Sequence, residues 1–160
     1  MMKNALKEIK LGFQLIPYGF QAKGNIILGI VFLVLGVLGE VLLQGESFVT
    51  GMYILLSAMM PFQLIYSVAV SDLAKITPKR KGLETNIAMS SFFIIMLMSF
   101  TIVVATKGIL YAVKPENAYI YSEQLLVLAI LGGFFMINSG FGYKHFIVGT
   151  FVLVVVIMFV

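Results

Sequence analysis

Residues 87–105 read IAMSSFFIIMLMSFTIVVA. These nineteen residues carry no charge, and a helix rising about 1.5 Å per residue makes such a run about as long as the ~30 Å hydrocarbon core of a bilayer is thick. A barrel strand would alternate polar and apolar residues over about ten positions. This run is continuous, so a helix is expected, and in lipid a helix satisfies its own backbone N–H and C=O groups. Similar runs lie on both sides, at 25–43 and 48–70 before it and at 125–141 and 146–160 after it. The expected fold is therefore all-α: a polytopic helical membrane protein built as one transmembrane domain over 1–160, with five visible spans. Residues 151–160 stay apolar to the last position without an interfacial anchor, which leads us to expect further residues after Val160, as a sixth span.

Composition agrees. The chain is 61% hydrophobic with a mean hydropathy of +1.06, more apolar surface than a water-soluble domain of this size can hide. The net charge of +4 comes from the gaps between spans, not from a basic stripe interleaved with aromatics, so nucleic acid is not an expected partner. There is no cysteine, which removes disulfides, thiolate catalysis and Cys-based metal sites. His145 is the only histidine and belongs to no metal motif or catalytic trio, and no Gly-rich phosphate loop occurs. No catalytic, cofactor-binding or metal-binding residue is assigned, and the chain is not expected to be an enzyme.

The segment before the first span has another character. Met2, Leu6, Ile9, Phe13, Ile16 and Phe20 recur at steps of four and three, so they share one helical face. Lys3, Lys7, Lys10 and Gln14 line the adjacent face, and Pro17 bends the end. An interfacial amphipathic helix is expected over residues 1–22, its lysines toward anionic headgroups. No apolar signal-peptide core is present.

Nine of the eleven cations fall into alternate gaps: Lys3, Lys7, Lys10 and Lys23, then Lys75, Lys79, Arg80 and Lys81, then Lys144. Lys107 and Lys114 are left for the gap at 106–123, where Tyr111, Tyr119 and Tyr121 read as interface anchors. The positive-inside rule puts the N-terminus in the cytoplasm, in a bacterial plasma membrane by expectation. Residues 142–145 read as a tight turn between the last two spans.

Ion-coupled transporters and proton relays place ionisable residues at mid-membrane. As drawn, spans two to five hold none, and Glu40 in the first lies near its end, as a rim carboxylate or a gating contact. Gln63 and Asn138 are the other conduit or gating candidates, among mid-span polar residues that otherwise serve helix packing. Gly29, Gly36 and Gly39 would allow close helix approach without the GxxxG spacing. Pro61 should kink its span and free the carbonyl of Ser57. Residues 71–86, SDLAKITPKRKGLETN, form a basic connection much longer than the 44–49 gap. Positive-inside anchoring accounts for its cations; its length suits a surface for a soluble partner.

Taken together, the amphipathic N-terminal helix, the short gap after the first span, and Ile76-Thr77-Pro78-Lys79-Arg80-Lys81 ahead of the third span resemble the permease subunits of ABC-2-type (type V) ABC exporters. The likeness covers roughly residues 1–105. It departs at the C-terminal end, where that family usually has six spans. The resemblance implies a membrane-spanning subunit paired with a second copy of itself or a related permease. It further implies a cytoplasmic ATP-binding subunit that holds ATP and Mg and contacts Asp72, Lys75, Pro78, Lys79, Arg80, Lys81 and Glu84. The alternative is a non-transport membrane protein with a regulatory, assembly or immunity role.

Overall fold

The computed structural model describes the backbone of residues 2–72, 76 and 82–159, and side chains for 6–72, 76, 82–83, 86–137 and 139. Among the described residues six α-helices are delimited: α1 (Met2–Leu15), α2 (Ala22–Leu42), α3 (Phe48–Ser57), α4 (Met59–Ala69), α5 (Ala88–Val113) and α6 (Ala118–Phe159). Short 3-10 turns lie at Ile16–Tyr18 and Pro115–Asn117 and a π-helical turn at Leu83–Ile87, and no strand occurs among the described residues. Four described stretches are long and apolar enough to cross a membrane: Ala22–Leu42, Phe48–Ala69, Ala88–Val113 and Pro115–Ile137. The protein is an all-α, polytopic integral membrane protein.

Helix α1 ends where Pro17 enters the 3-10 turn, and Gln21, with φ 51°, reverses the chain into α2. It packs against α4 and α5. The contact is made through Gly12: a Cβ there would fall 1.9 Å from Ser91 Oγ, so only glycine permits this approach. Leu6, Phe13 and Phe20 remain exposed, available to the interface.

Helices α2 and α3 form the closest pair in the bundle. Gly29, Gly36 and Gly39 all face the α3–α4 partner, at a seven-residue step and then a three-residue step. The turn after α2 is a Schellman motif: Gly45 N–H donates to Glu40 O at 2.9 Å and Gln44 N–H to Val41 O at 3.3 Å, with Gln44 and Gly45 both left-handed at φ 53° and 72°.

The second span is broken at Ala58, between α3 and α4, as Pro61 requires. Proline has no N–H to return to Ser57 O, and the Ser57 hydroxyl turns back to Ile54 O at 2.6 Å. The core closes around this break. Ile54, Leu55, Phe62, Ile65, Phe92, Met96, Leu128 and Phe135 are buried where α3, α4, α5 and α6 meet, and the Phe62 and Phe92 rings lie 4.4 Å apart. Helix α2 is peripheral, with Ile27, Val34, Leu38 and Val41 turned outward.

Two boundaries differ from expectation. Helix α5 runs to Val113 rather than ending near residue 105, because nothing between Thr106 and Val113 breaks a helix and Pro115 is the first residue that does. The expected turn at 142–145 is absent: α6 is one helix of 42 residues, about 63 Å long. Its glycines weaken a helix interior by about 1 kcal/mol each, but no proline interrupts it. Residues 125–141 and 146–160 therefore belong largely to one helix, not to two separated by a loop.

Candidate functional site

The most polar buried place in the described structure lies where α2, α3, α5 and α6 converge at the 44–47 turn. Helix α2 carries Glu40 four residues beyond Gly36, on the same face. Helix α5 carries Lys107 on the face that points inward. Lys107 is 1% exposed and Glu40 0%. Such burial is unfavourable for a lone charge, so each must be compensated in place.

The compensation combines an ion pair with two hydrogen bonds from the ammonium group. Lys107 Nζ pairs with Glu40 Oε2 at 2.9 Å, donates to Gly45 O at 2.8 Å and donates to Gln124 Oε1. The other carboxylate oxygen, Glu40 Oε1, accepts from Thr50 Oγ1 at 2.8 Å. Gln124 Nε2 donates onward to Glu46 O at 2.9 Å. The Tyr121 hydroxyl donates to Gln44 O at 3.0 Å, and its ring centroid lies 5.7 Å from Lys107 Nζ, within cation–π range. Lys114 Nζ donates to the Gln44 side-chain oxygen. The α2–α3 turn thus presents its carbonyls to α5 and α6, and one ion pair fastens it there. No nucleophile–base pairing appears in this cluster. Chemically it is a clasp, closed and electrically neutral between Glu40 and Lys107.

This arrangement revises the expectations site by site. Glu40 is not a rim carboxylate; it is fully buried and paired. Lys107 is not a loop cation, since it lies within α5, and the third span does carry a charge. Tyr121 is 3% exposed and part of the clasp, whereas Tyr111 and Tyr119 remain exposed as anchors. Gln63 faces outward on α4, and it is not brought together with Glu40. Asp72 is described and exposed, just beyond α4, with an interaction partner of its own. Lys75, Pro78, Lys79, Arg80 and Lys81 lie outside the described residues, as do the side chains of Glu84 and Asn138.

The sequence reading missed Lys107, Gln124, Tyr121 and Thr50. A signal for the first was present. One carboxylate in an apolar span calls for a cation, and Lys107 is uninterrupted by any helix breaker from residue 88 onward.

Alongside the clasp, α2 and α5 stand apart. A cavity of about 430 Å³ between them is lined by Val37, Val41, Gln44, Thr106, Leu110 and Lys114. A second, of about 300 Å³, opens nearer α1.

Tyr121→Phe keeps the ring over Lys107 but strips the Gln44 carbonyl of its donor. We expect it to lower stability by about 0.5–1.5 kcal/mol, measured as a shift in unfolding midpoint in detergent. An unchanged midpoint would mean the hydroxyl bond adds nothing to the clasp.

Compared with protein-family models, curated proteins and solved structures, the chain has no match.

Proposed function

We propose that this chain is the membrane-spanning permease subunit of an ATP-driven exporter, coupled through residues 71–86 to a cytoplasmic ATP-binding subunit. The observation that carries this reading is the way that segment enters the bundle. It leads into the π-helical turn Leu83–Ile87, which packs against α1 and α4 and continues into α5. Single π-turns often mark functional positions, because an i→i+5 step is less stable than the helix around it. A push on 71–86 would thus reach α5, and α5 carries Lys107 to the clasp at its other half.

In this mechanism Asp72, Lys75, Pro78, Lys79, Arg80, Lys81 and Glu84 form the partner-facing surface. The chain supplies no catalytic group; ATP and Mg reside in the partner. A second copy of the chain, or a related permease, completes the pathway. Glu40 acts as a gating residue by holding the α2–α3 turn to α5 and α6. The distribution of cations supports a cytoplasmic N-terminus in a bacterial plasma membrane. Burial of Lys107 supports it further, since one of the two cations of the opposite gaps is neutralised by Glu40.

The test is affinity purification from the native host in mild detergent, with mass spectrometry of co-eluting proteins. A soluble ATP-binding subunit is expected in near-equal amount. Lys79→Glu, Arg80→Glu and Lys81→Glu together should cut its recovery by more than about tenfold, since like charges juxtaposed across an interface cost several kcal/mol. Orientation must be checked in the same cells, because that variant also removes positive-inside charge. Recovery unchanged in a correctly oriented variant would overturn the coupling role of the cluster. Wild-type protein that is intact yet repeatedly free of any ATPase would favour the regulatory, assembly or immunity reading.

A further inference from the structure

Serine and threonine inside a helix commonly turn the hydroxyl back to a carbonyl three or four residues earlier. Ser57, Ser67, Thr101, Thr106 and Ser122 all do so here. Ser99 on α5 does not. It is 6% exposed, yet its hydroxyl has no hydrogen-bond partner among the described residues. Leaving such a group unpaired is unfavourable. Ser91 shares this condition, but its oxygen is sealed within the bundle, whereas Ser99 is part of the wall of the cavity of about 300 Å³ nearer α1.

The same wall holds an acceptor short of a donor. Ser57 and Pro61 both line the cavity. Pro61 has no N–H to return to Ser57 O. That oxygen lies 3.5 Å from where a Cβ on Gly29, another wall residue, would stand. The remaining wall is apolar, from Phe13 on α1 and Ile30 on α2 to Met98 on α5, and no charged residue among the described ones belongs to it. Ile30 and Met98 are 55% and 61% exposed, so the cavity opens sideways to lipid.

Volume and polarity define what fits. An apolar cavity of about 150 Å³ admits benzene, so twice that volume has room for roughly a dozen heavy atoms. An acyl chain would fill the space but leave Ser99 unpaired where no water reaches it. A charged group would find no counter-ion. A hydroxyl on an apolar body meets both needs, because it accepts from the Ser99 hydroxyl and donates to Ser57 O.

We propose that this cavity is a binding site for a small uncharged amphiphile that enters from the lipid, an apolar body of about a dozen heavy atoms carrying one hydroxyl to Ser99 and Ser57 O. The inference does not depend on the exporter reading: it concerns what the cavity holds, not what drives transport.

The experiment uses the full chain in lipid nanodiscs, with empty nanodiscs as the blank. The probes are 1-naphthol and 1-methylnaphthalene, which match in size and differ by a hydroxyl in place of a methyl. Above the blank, one 1-naphthol per chain is expected, bound about tenfold more tightly than 1-methylnaphthalene, the ratio that one or two net hydrogen bonds supply. Ser99→Ala should lose most of that ratio, while the unfolding midpoint of the ligand-free protein does not fall. Ser99→Leu, which puts a side chain into the cavity, should abolish retention of both probes. No retention above the blank by the wild type would overturn the site. Equal retention of the two probes would overturn hydroxyl recognition and leave the groove to lipid chains. A preference that survives Ser99→Ala would remove Ser99 from the site, and full retention in Ser99→Leu would place the probe outside the cavity.

Discussion

Replacing Lys107 with methionine is expected to destabilise the protein by about 3–5 kcal/mol, as removal of one partner of a buried ion pair does. Methionine fills much of the same volume, so the loss is not a packing loss. It arises because Glu40 is left with only Thr50 as a donor, fully buried, while Gly45 O and Gln124 Oε1 each lose an ammonium hydrogen. The double variant Glu40→Leu with Lys107→Met separates these contributions. It removes both charges, so the uncompensated carboxylate disappears and much of the stability should return. The remaining shortfall, about 1–3 kcal/mol, reports the carbonyls of Gly45 and Gln124 that still lack a donor. Unfolding in mixed detergent micelles measures all three proteins. If Lys107→Met unfolds with the wild type, Lys107 does not hold the clasp; if the double variant is no better than the single, the ion pair is not what matters there.

The clasp also explains which parts of the structure the sequence made legible. Fold class followed from runs such as 87–105, because lipid leaves the backbone so few choices. The kink at Pro61 was legible for a similar reason: a missing N–H is a local fact and needs no partner. The burial of Lys107 was not legible in the same way. A lysine in the nineteenth or twentieth position of a helix is ordinarily a membrane-edge residue, and what makes this one a core residue is Glu40, 67 positions away in sequence and 2.9 Å away in space. Span boundaries drawn from charge alone therefore cut α5 short at the charge that completes it. The same bias produced the expected turn at 142–145. Lys144 and His145 suggest a loop, yet nothing in Gly142-Tyr143-Lys144-His145 prevents the helix from continuing.

Gly36 is where the second large effect is expected. A Cβ at this position would lie 2.5 Å from Ile54 Cγ1, 2.9 Å from Ile54 N and 2.9 Å from Thr50 O. A side chain can rotate away from such a contact, but backbone atoms cannot. Even alanine must push α2 and α3 apart by about 0.5 Å, and we expect Gly36→Ala to cost about 1–3 kcal/mol despite alanine's better helix propensity. Gly36→Leu should prevent the hairpin from closing and leave protein that aggregates when extracted. Gly133 provides the contrast: it is exposed on α6, a Cβ there meets nothing within 4 Å, and Gly133→Ala should be neutral or slightly stabilising. The effect of Gly36 is not confined to its own contact. Glu40 follows it by four residues on the same face, so separating α2 from α3 also draws the carboxylate away from Thr50 and Lys107. Gly36→Ala and Lys107→Met should therefore be coupled, with a double-mutant interaction energy of about 0.5–3 kcal/mol rather than simple addition. Strict additivity would mean that the close approach at Gly36 and the clasp at Lys107 are separate devices. Coupling would mean that the glycine contact is what brings Glu40 to the depth at which its charge can be buried.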